Sequence, residues 1–195
     1  MGEQYFARDP SGPSRVAVAV WEHAGREYEF LSDSGVFSRG RVDYGSRLLA
    51  SSLPAFRGRV LDIGCGYGFI GLAVKLMNPQ AEVVLCDVNS RALALARENA
   101  KRLCVHAEVI ESDGYSEIPG KFDAIVTNPP VRAGKAVYYP WFDGAPERLN
   151  PGGSLFIVLR RKQGAPSAAK RLEALFPRVE EIGHGGGYHA IAARL

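Results

Sequence analysis

The chain has 195 residues, 46% of them hydrophobic and 23% charged. That is the balance of a globular protein and excludes a disordered or low-complexity chain. No apolar run approaches the ~20 residues of a membrane span. The opening MGEQYFARDP has no basic start followed by an apolar stretch, so no signal peptide is expected and the cytoplasm is the default location. Twenty-four Lys and Arg against 21 Asp and Glu leave a net charge of +3, too weak alone to identify a nucleic-acid binder.

Two short alternating stretches come first, Arg15–Trp21 and Arg26–Ser32, and predict a hairpin or a pair of strands. A polar segment then leads into a helix expected to begin near Ser46. From Arg59 the rhythm changes. The strand-like runs RVLDIG, EVVLCDV, AEVIES, FDAIVTN and GSLFIVLR alternate with the helical stretches GLAVKLMN, SRALALARENAKRL, a weaker one within 138–149, and SAAKRLEALF. Such alternation implies βαβ units and a parallel sheet with helices on both faces. At the end, RVEEIG and YHAIAARL flank the turn-rich HGGG, adding an antiparallel hairpin to the sheet. The expected fold is therefore α/β: a Rossmann-like, seven-stranded, mostly parallel sheet closed by a C-terminal antiparallel hairpin. A small N-terminal β-hairpin extension (residues 1–45) precedes the main domain (46–195).

Cys65, Cys86 and Cys104 are odd in number, at spacings that fit neither a zinc site nor a disulfide framework, and are expected as three reduced, mostly buried thiols. His23, His106, His184 and His189 form no metal-ligand pattern, so no metal is expected.

The chemistry-bearing residues cluster after strands. Asp62-Ile63-Gly64-Cys65-Gly66-Tyr67-Gly68 follows one strand and opens a helix. Glycines there permit positive φ and close backbone approach to a ligand. The spacing is not that of a dinucleotide fingerprint or a P-loop. The next strand ends at Asp87, 21 residues past Gly66, where a carboxylate can accept hydrogen bonds from a ribose. By themselves these features also suit a domain that binds another nucleotide, or a tight turn that binds none. A third strand leads into Ser112-Asp113-Gly114. A fourth ends in Asn128-Pro129-Pro130-Val131, where two prolines fix a rigid loop at the end of the sheet that binds ligands.

Together, Asp62, Gly64, Gly66, Gly68, Asp87 and the Asn-Pro-Pro sequence resemble the class I S-adenosylmethionine-dependent methyltransferases. The resemblance implies S-adenosylmethionine as cofactor, held by the glycine loop with Asp62 and Cys65, by Asp87 with Val88 and Asn89, and by Ser112, Asp113 and Gly114. Asn128, Pro129 and Pro130 would be catalytic, with Asn128 also against the cofactor. In that superfamily Asn-Pro-Pro marks methylation of a planar nitrogen, whose N–H groups donate to the Asn side chain and the first Pro carbonyl. Val131 departs from the pattern, which usually has an aromatic there; Phe37, Tyr138, Tyr139 and Trp141 are candidate substitutes for its stacking.

The flanking sequences SGVFS (34–38), DYGSRLL (43–49), NPPVRAGK (128–135) and RKQGA (161–165) are similar to the small-domain methyltransferases related to ribosomal RNA small-subunit guanine-N2-methyltransferases, the RsmC-like group. Tyr5-Phe6 ahead of the hairpin is similar to the N-terminus of compact members. The resemblance implies transfer to the exocyclic amine of a guanine in ribosomal RNA, with Phe37 and Ser46 beside the cofactor or target pocket and Asp43 at its mouth. Val131, Arg132, Lys135 and Lys162 would face the substrate. Many relatives carry an additional N-terminal domain, whereas about 58 residues precede the first core strand here, too few for one. Recognition would then fall to the hairpin and surface charges, or to a second subunit, in a monomer or homodimer. Arg39, Arg41 and Arg47 precede the core, and the groups Arg132/Lys135 and Arg160/Arg161/Lys162 are expected to converge on one rim, fit to track RNA phosphates. The expected partner is ribosomal RNA or the small ribosomal subunit. A protein glutamine amide, a small molecule, and a non-catalytic RNA-binding role are the alternatives.

Overall fold

The computed structural model describes residues 15–38 and 40–195; Tyr5, Phe6 and Arg39 lie outside them. Strands β1 (Ala17–His23) and β2 (Arg26–Ser32) pair antiparallel. They turn through Ala24 and Gly25, both at positive φ, the backbone that matches strand twist in two-residue hairpins. The turn falls two residues later than the spacing of EHAG suggests, so β1 reaches His23. Helix α1 (Tyr44–Ser52) starts where the Asp43 carboxylate accepts the Ser46 N–H at 3.2 Å, a side-chain N-cap.

The main sheet then builds by alternation. Strands β3 (Arg59–Ile63), β4 (Glu82–Asp87), β5 (Glu108–Glu111), β6 (Phe122–Thr127) and β7 (Leu149–Arg160) are parallel. Between and after them run α2 (Phe69–Met77), α3 (Ser90–Arg102), α4 (Lys135–Arg148) and α5 (Ala165–Glu173). Strands β8 (Arg178–Gly185) and β9 (Tyr188–Arg194) form the terminal hairpin, with β9 inserted antiparallel beside β7, giving the order β5-β4-β3-β6-β7-β9-β8. The expected seven-stranded architecture is present.

Side chains alternate across the sheet with the period of two that a strand imposes. Val60, Val126, Phe156, Val158 and Ala190 face α1, α2, α3 and the N-terminal hairpin. Leu61, Ile125, Leu155, Ile157 and Ile191 face α4 and α5. Each fully buried Leu or Ile contributes about 1.5–3 kcal/mol of transfer free energy, so both layers are well anchored. Trp21 and Phe30 carry the hairpin into the first layer, where both rings meet Phe69 edge-on, at 5.5 and 5.2 Å between centroids.

Three local expectations need adjustment. Strand β7 starts four residues before Gly153, because Asn150–Gly153 bulges without leaving the ladder: Phe122 pairs with Leu149 and Ala124 with Ser154. Helix α4 starts at Lys135, and its apolar periodicity is weak because Pro140 and Pro146 lie inside it. Cys104 is exposed, unlike buried Cys65 and Cys86. It sits just past α3 at φ 53°, while the Val105 N–H reaches back to the Ala100 carbonyl at 3.0 Å, the helix-ending geometry usually occupied by glycine. No helix among the described residues is long and apolar enough to cross a membrane.

One buried amide ties the layers together. Asn99 on α3 accepts the Leu31 N–H at 2.7 Å and donates to the carbonyls of Leu31 and Tyr67, both at 2.9 Å. It thereby pins β2 to the glycine loop. Asn99→Leu would strand three backbone groups away from water, so thermal unfolding should show a loss of roughly 2–4 kcal/mol; an unchanged melting temperature would remove this role.

Candidate active site

The glycine loop and the Asn-Pro-Pro segment meet because β3 lies directly beside β6. Their C-terminal ends are joined where the buried Thr127 hydroxyl donates to the Ile63 carbonyl at 2.8 Å. Between the loops opens a cavity of about 600 Å³, within the range of small-molecule and cofactor sites.

Of the expected cofactor residues, Phe37, Ser46, Gly64, Cys65, Gly66, Asp87, Val88, Ser112, Asp113, Gly114 and Asn128 line this cavity, and so do Pro129 and Pro130. Asp62, Gly68 and Asn89 stand behind its wall. Gly64, Gly66 and Gly68 all take positive φ. A Cβ on Gly64 would lie 2.8 Å from the Trp141 ring, so the loop and α4 close on each other only because that position has no side chain. Burial pushes the Cys65 thiol well above its ordinary range; it therefore contributes apolar wall rather than a nucleophile.

Asp87 accepts the Gly66 N–H at 2.8 Å and the Asn89 N–H at 2.9 Å. Burial raises its pKa, against the pull of N–H groups from Asn89, Gly66 and Val88. Each carboxylate oxygen retains a lone pair after these bonds, so Asp87 both shapes the loop and offers acceptors toward the cavity. Asn89 caps α3 by accepting the Ala92 N–H at 3.0 Å, and donates to the Gly35 carbonyl at 3.2 Å. It thus secures the segment that carries Val36 and Phe37.

Asp62 is deeply buried. Its Oδ2 accepts the Gly71 N–H at 2.8 Å, while Oδ1 has no partner among the described residues. Burial lifts its pKa to about 7, opposed by the Gly71 N–H and assisted by the Asp87 charge. An unsatisfied buried carboxylate oxygen is costly and is a fitting acceptor for a ligand donor or a bridging water.

At the opposite wall, Asn128 Nδ2 donates to Ser46 Oγ at 2.9 Å and to Asp43 Oδ2 at 3.2 Å. With both N–H groups so engaged, the amide oxygen is the atom left for the cavity. The Pro129 carbonyl accepts the Val131 N–H at 2.8 Å and keeps its second lone pair. Asp43 does not itself line the cavity; it stands behind Asn128.

Among the aromatic candidates, Phe37 and Trp141 line the cavity. Tyr138 is buried in the second layer, and Tyr139 packs against Tyr138 and Phe142. Val131 begins a short 3-10 turn and packs toward the same layer instead of entering the cavity. Tyr67, Ile70, Tyr115 and Val137 also line it without having been expected to, because their apolar character reads as ordinary core. Tyr115 holds α4 in place by donating to the Trp141 carbonyl at 2.8 Å.

The basic groups behave as expected in part. Lys135 donates to Ser167 at 3.0 Å, which ties the start of α4 to the first turn of α5, just past the connection containing Arg161 and Lys162. Arg132, Lys135, Arg160, Arg161 and Lys162 are exposed. Arg41 and Arg47 are exposed as well.

The Asp62 carboxyl carries a pH signature. Its folded pKa lies above its unfolded value of 3.8, so the folded state holds the extra proton between these limits. Stability from this group is full below about pH 4 and is lost as pH rises through about 7. Ligand-free protein should therefore lose a few kcal/mol between pH 4 and 8, and Asp62→Asn should flatten that slope in thermal melts. Parallel curves for the two proteins would refute the assignment.

Comparison with known proteins agrees with this geometry. The family model for the methyltransferase small domain matches residues 27–192. The chain is 40% identical to the protein YbxB of Bacillus subtilis over 199 residues, covering 100% of this chain and 99% of that one. It is 36% identical to ribosomal RNA small subunit methyltransferase C of Escherichia coli over 97% of its length, but spans only 57% of that relative. The fold matches T. thermophilus RsmC, a 16S rRNA N2 guanine methyltransferase solved with AdoMet and guanosine, with a TM-score of 0.82 and 31% identity. That match covers 93% of this chain and 51% of the other. The chain belongs to the methyltransferase small domain family.

Proposed function

We propose that this protein transfers a methyl group from S-adenosylmethionine to the exocyclic N2 amine of a guanine in small-subunit ribosomal RNA, in the cytoplasm. The observation that carries the reading is the fixed orientation of Asn128, whose two N–H groups are held from behind and whose oxygen is left for the cavity.

The cavity suits the cofactor on three counts. Asp87 offers acceptors for ribose hydroxyls. Gly64 and Gly66 bring backbone to the cavity without side chains in between. Asp62 supplies the unsatisfied oxygen beneath the loop. When bound, S-adenosylmethionine supplies an electrophilic methyl carbon on a sulfonium. The protein's own residues do the rest by positioning. An exocyclic amine shares its lone pair with the purine ring and is a weak nucleophile. Donation of its N–H groups to Asn128 Oδ1 and to the Pro129 carbonyl would turn that lone pair toward the methyl donor. Two rigid prolines hold both acceptors in register, so little orientational entropy is lost when the amine arrives. A guanine within RNA must leave its stack to enter, and Phe37 or Trp141 offers an aromatic face in place of the missing one at Val131. The relatives named for ribosomal RNA methylation support the substrate class, and the exposed cations around Lys135 and Arg161 suit phosphate contact.

The deciding experiment gives purified protein labelled S-adenosylmethionine with unmodified small subunits, their naked RNA, and a protein extract. Label should appear in N2-methylguanosine; label confined to glutamine in protein would overturn the RNA reading. Asn128→Ala should lower kcat by about 10²–10³-fold while the cofactor dissociation constant, measured by calorimetry, stays within about twofold. Asp87→Ala should do the reverse at the binding step, weakening cofactor by roughly 10–100-fold, the loss of one or two charge-assisted hydrogen bonds.

A further inference from the structure

The orientation of Asn128 depends on Asp43, and Asp43 is held in turn from an unexpected direction. Tyr188, the first residue of β9, donates its hydroxyl to Asp43 Oδ1 at 3.2 Å. The other carboxylate oxygen, Oδ2, receives the Asn128 amide and the Ser46 N–H, each at 3.2 Å. From these contacts we infer that Tyr188 is a positioning residue for methyl transfer: through Asp43, the terminal hairpin fixes the rotamer and facing of Asn128. The role rests on the reading of Asn128 as the acceptor for the target amine.

The surroundings of Tyr188 favour this over a plain packing role. The ring is 8% exposed and sits in the first hydrophobic layer, a place a phenylalanine would fill equally well. Its hydroxyl goes to a carboxylate that already serves as the N-cap of α1. The ring is clamped on two sides, by Tyr44 stacked at 5.9 Å and by the Arg160 guanidinium 4.6 Å from its centroid. Room for it comes from Gly45, where a Cβ would lie 2.6 Å from the ring. The sequence Asp43-Tyr44-Gly45-Ser46 thereby acquires a physical explanation. Asp43 and Ser46 hold Asn128 from behind, Gly45 admits Tyr188, and Tyr44 stacks on it. A carboxylate held by one fewer hydrogen bond is freer to rotate, and Asn128 would follow it. Small displacements of a positioning group reduce the reactive fraction without altering cofactor affinity.

Tyr188→Phe removes only the hydroxyl and leaves the packing. It should lower kcat for RNA methylation by about 5–20-fold, with cofactor affinity and melting temperature nearly unchanged. In an Asn128→Ser background, where the residue linked to Asp43 is gone, the same change should cost less than about twofold, because groups acting through one another are non-additive. An equal loss in both backgrounds, or no loss in either, overturns the inference. A second readout is independent of activity. The two Asn128 side-chain protons, followed by nitrogen-edited NMR of the cofactor-free protein, should exchange with solvent at least about tenfold faster in Tyr188→Phe than in the parent, since their acceptor is less firmly held. Unchanged exchange overturns the positioning role. Faster exchange in a protein that methylates no RNA would instead uphold the hydrogen-bond chain and refute the proposed substrate.

Discussion

The site exists because one parallel pairing, β3 against β6, brings two strand ends side by side. Chain connectivity alone does not do this: β3 continues to β4 and β5 on one side, and the chain returns to β6 on the other. The loops leaving β3 and β6 consequently diverge in sequence but abut in space, at the place where open α/β sheets receive their ligands. The Thr127 hydroxyl on the Ile63 carbonyl seals that junction under both loops. If these strand ends parted, the glycine loop and the Asn-Pro-Pro segment would no longer share a cavity.

Around this junction the buried polar groups act as fasteners. Asn99 joins the hairpin to the glycine loop, Asn89 joins α3 to the segment bearing Phe37, and Asp43 joins α1 to Asn128. Each satisfies backbone or side-chain groups that would otherwise be costly to bury. Asp62 is the exception, with one oxygen that has no partner among the described residues. These three fasteners lie on the side of α1 and α3, whereas the opposite layer, toward α4 and α5, is mostly Leu, Ile, Ala and Phe, with Tyr138 and Trp141 among them. Stability is thus supplied largely by apolar layers, and polar contacts fix where the functional loops point.

Much of this was legible beforehand. Alternating apolar runs placed the strands, because sheet residues must present one side chain to each face. Glycines and prolines placed the loops, because their backbone restrictions are local. The cofactor residues named from motifs fall mostly around one cavity, with Asp62, Gly68 and Asn89 directly behind its wall, whereas Asp43, Val131, Arg132, Lys135 and Lys162, expected toward the substrate, do not line it. Less legible was α4, whose prolines obscure its periodicity, and Cys104, whose exposure follows from a helix-ending turn that usually takes glycine. The burial of Tyr138 and the packing of Val131 away from the cavity were also hidden, since an aromatic or aliphatic residue has the same local signature in a core and in a pocket.

Reading the chain alone is enough for the α/β alternation, the terminal hairpin, a loop whose glycines permit positive φ, and an Asn-Pro-Pro segment at a strand end. These follow from periodicity and backbone preference over a few neighbouring residues. It takes the folded chain to reveal that Asp43 and Ser46, more than 80 positions from Asn128, hold its amide, and that Tyr188, 145 positions from Asp43, stands behind them. Hydrogen bonds of that kind depend on how α1, β6 and β9 come together across the sheet, and no local pattern in the chain encodes their distances.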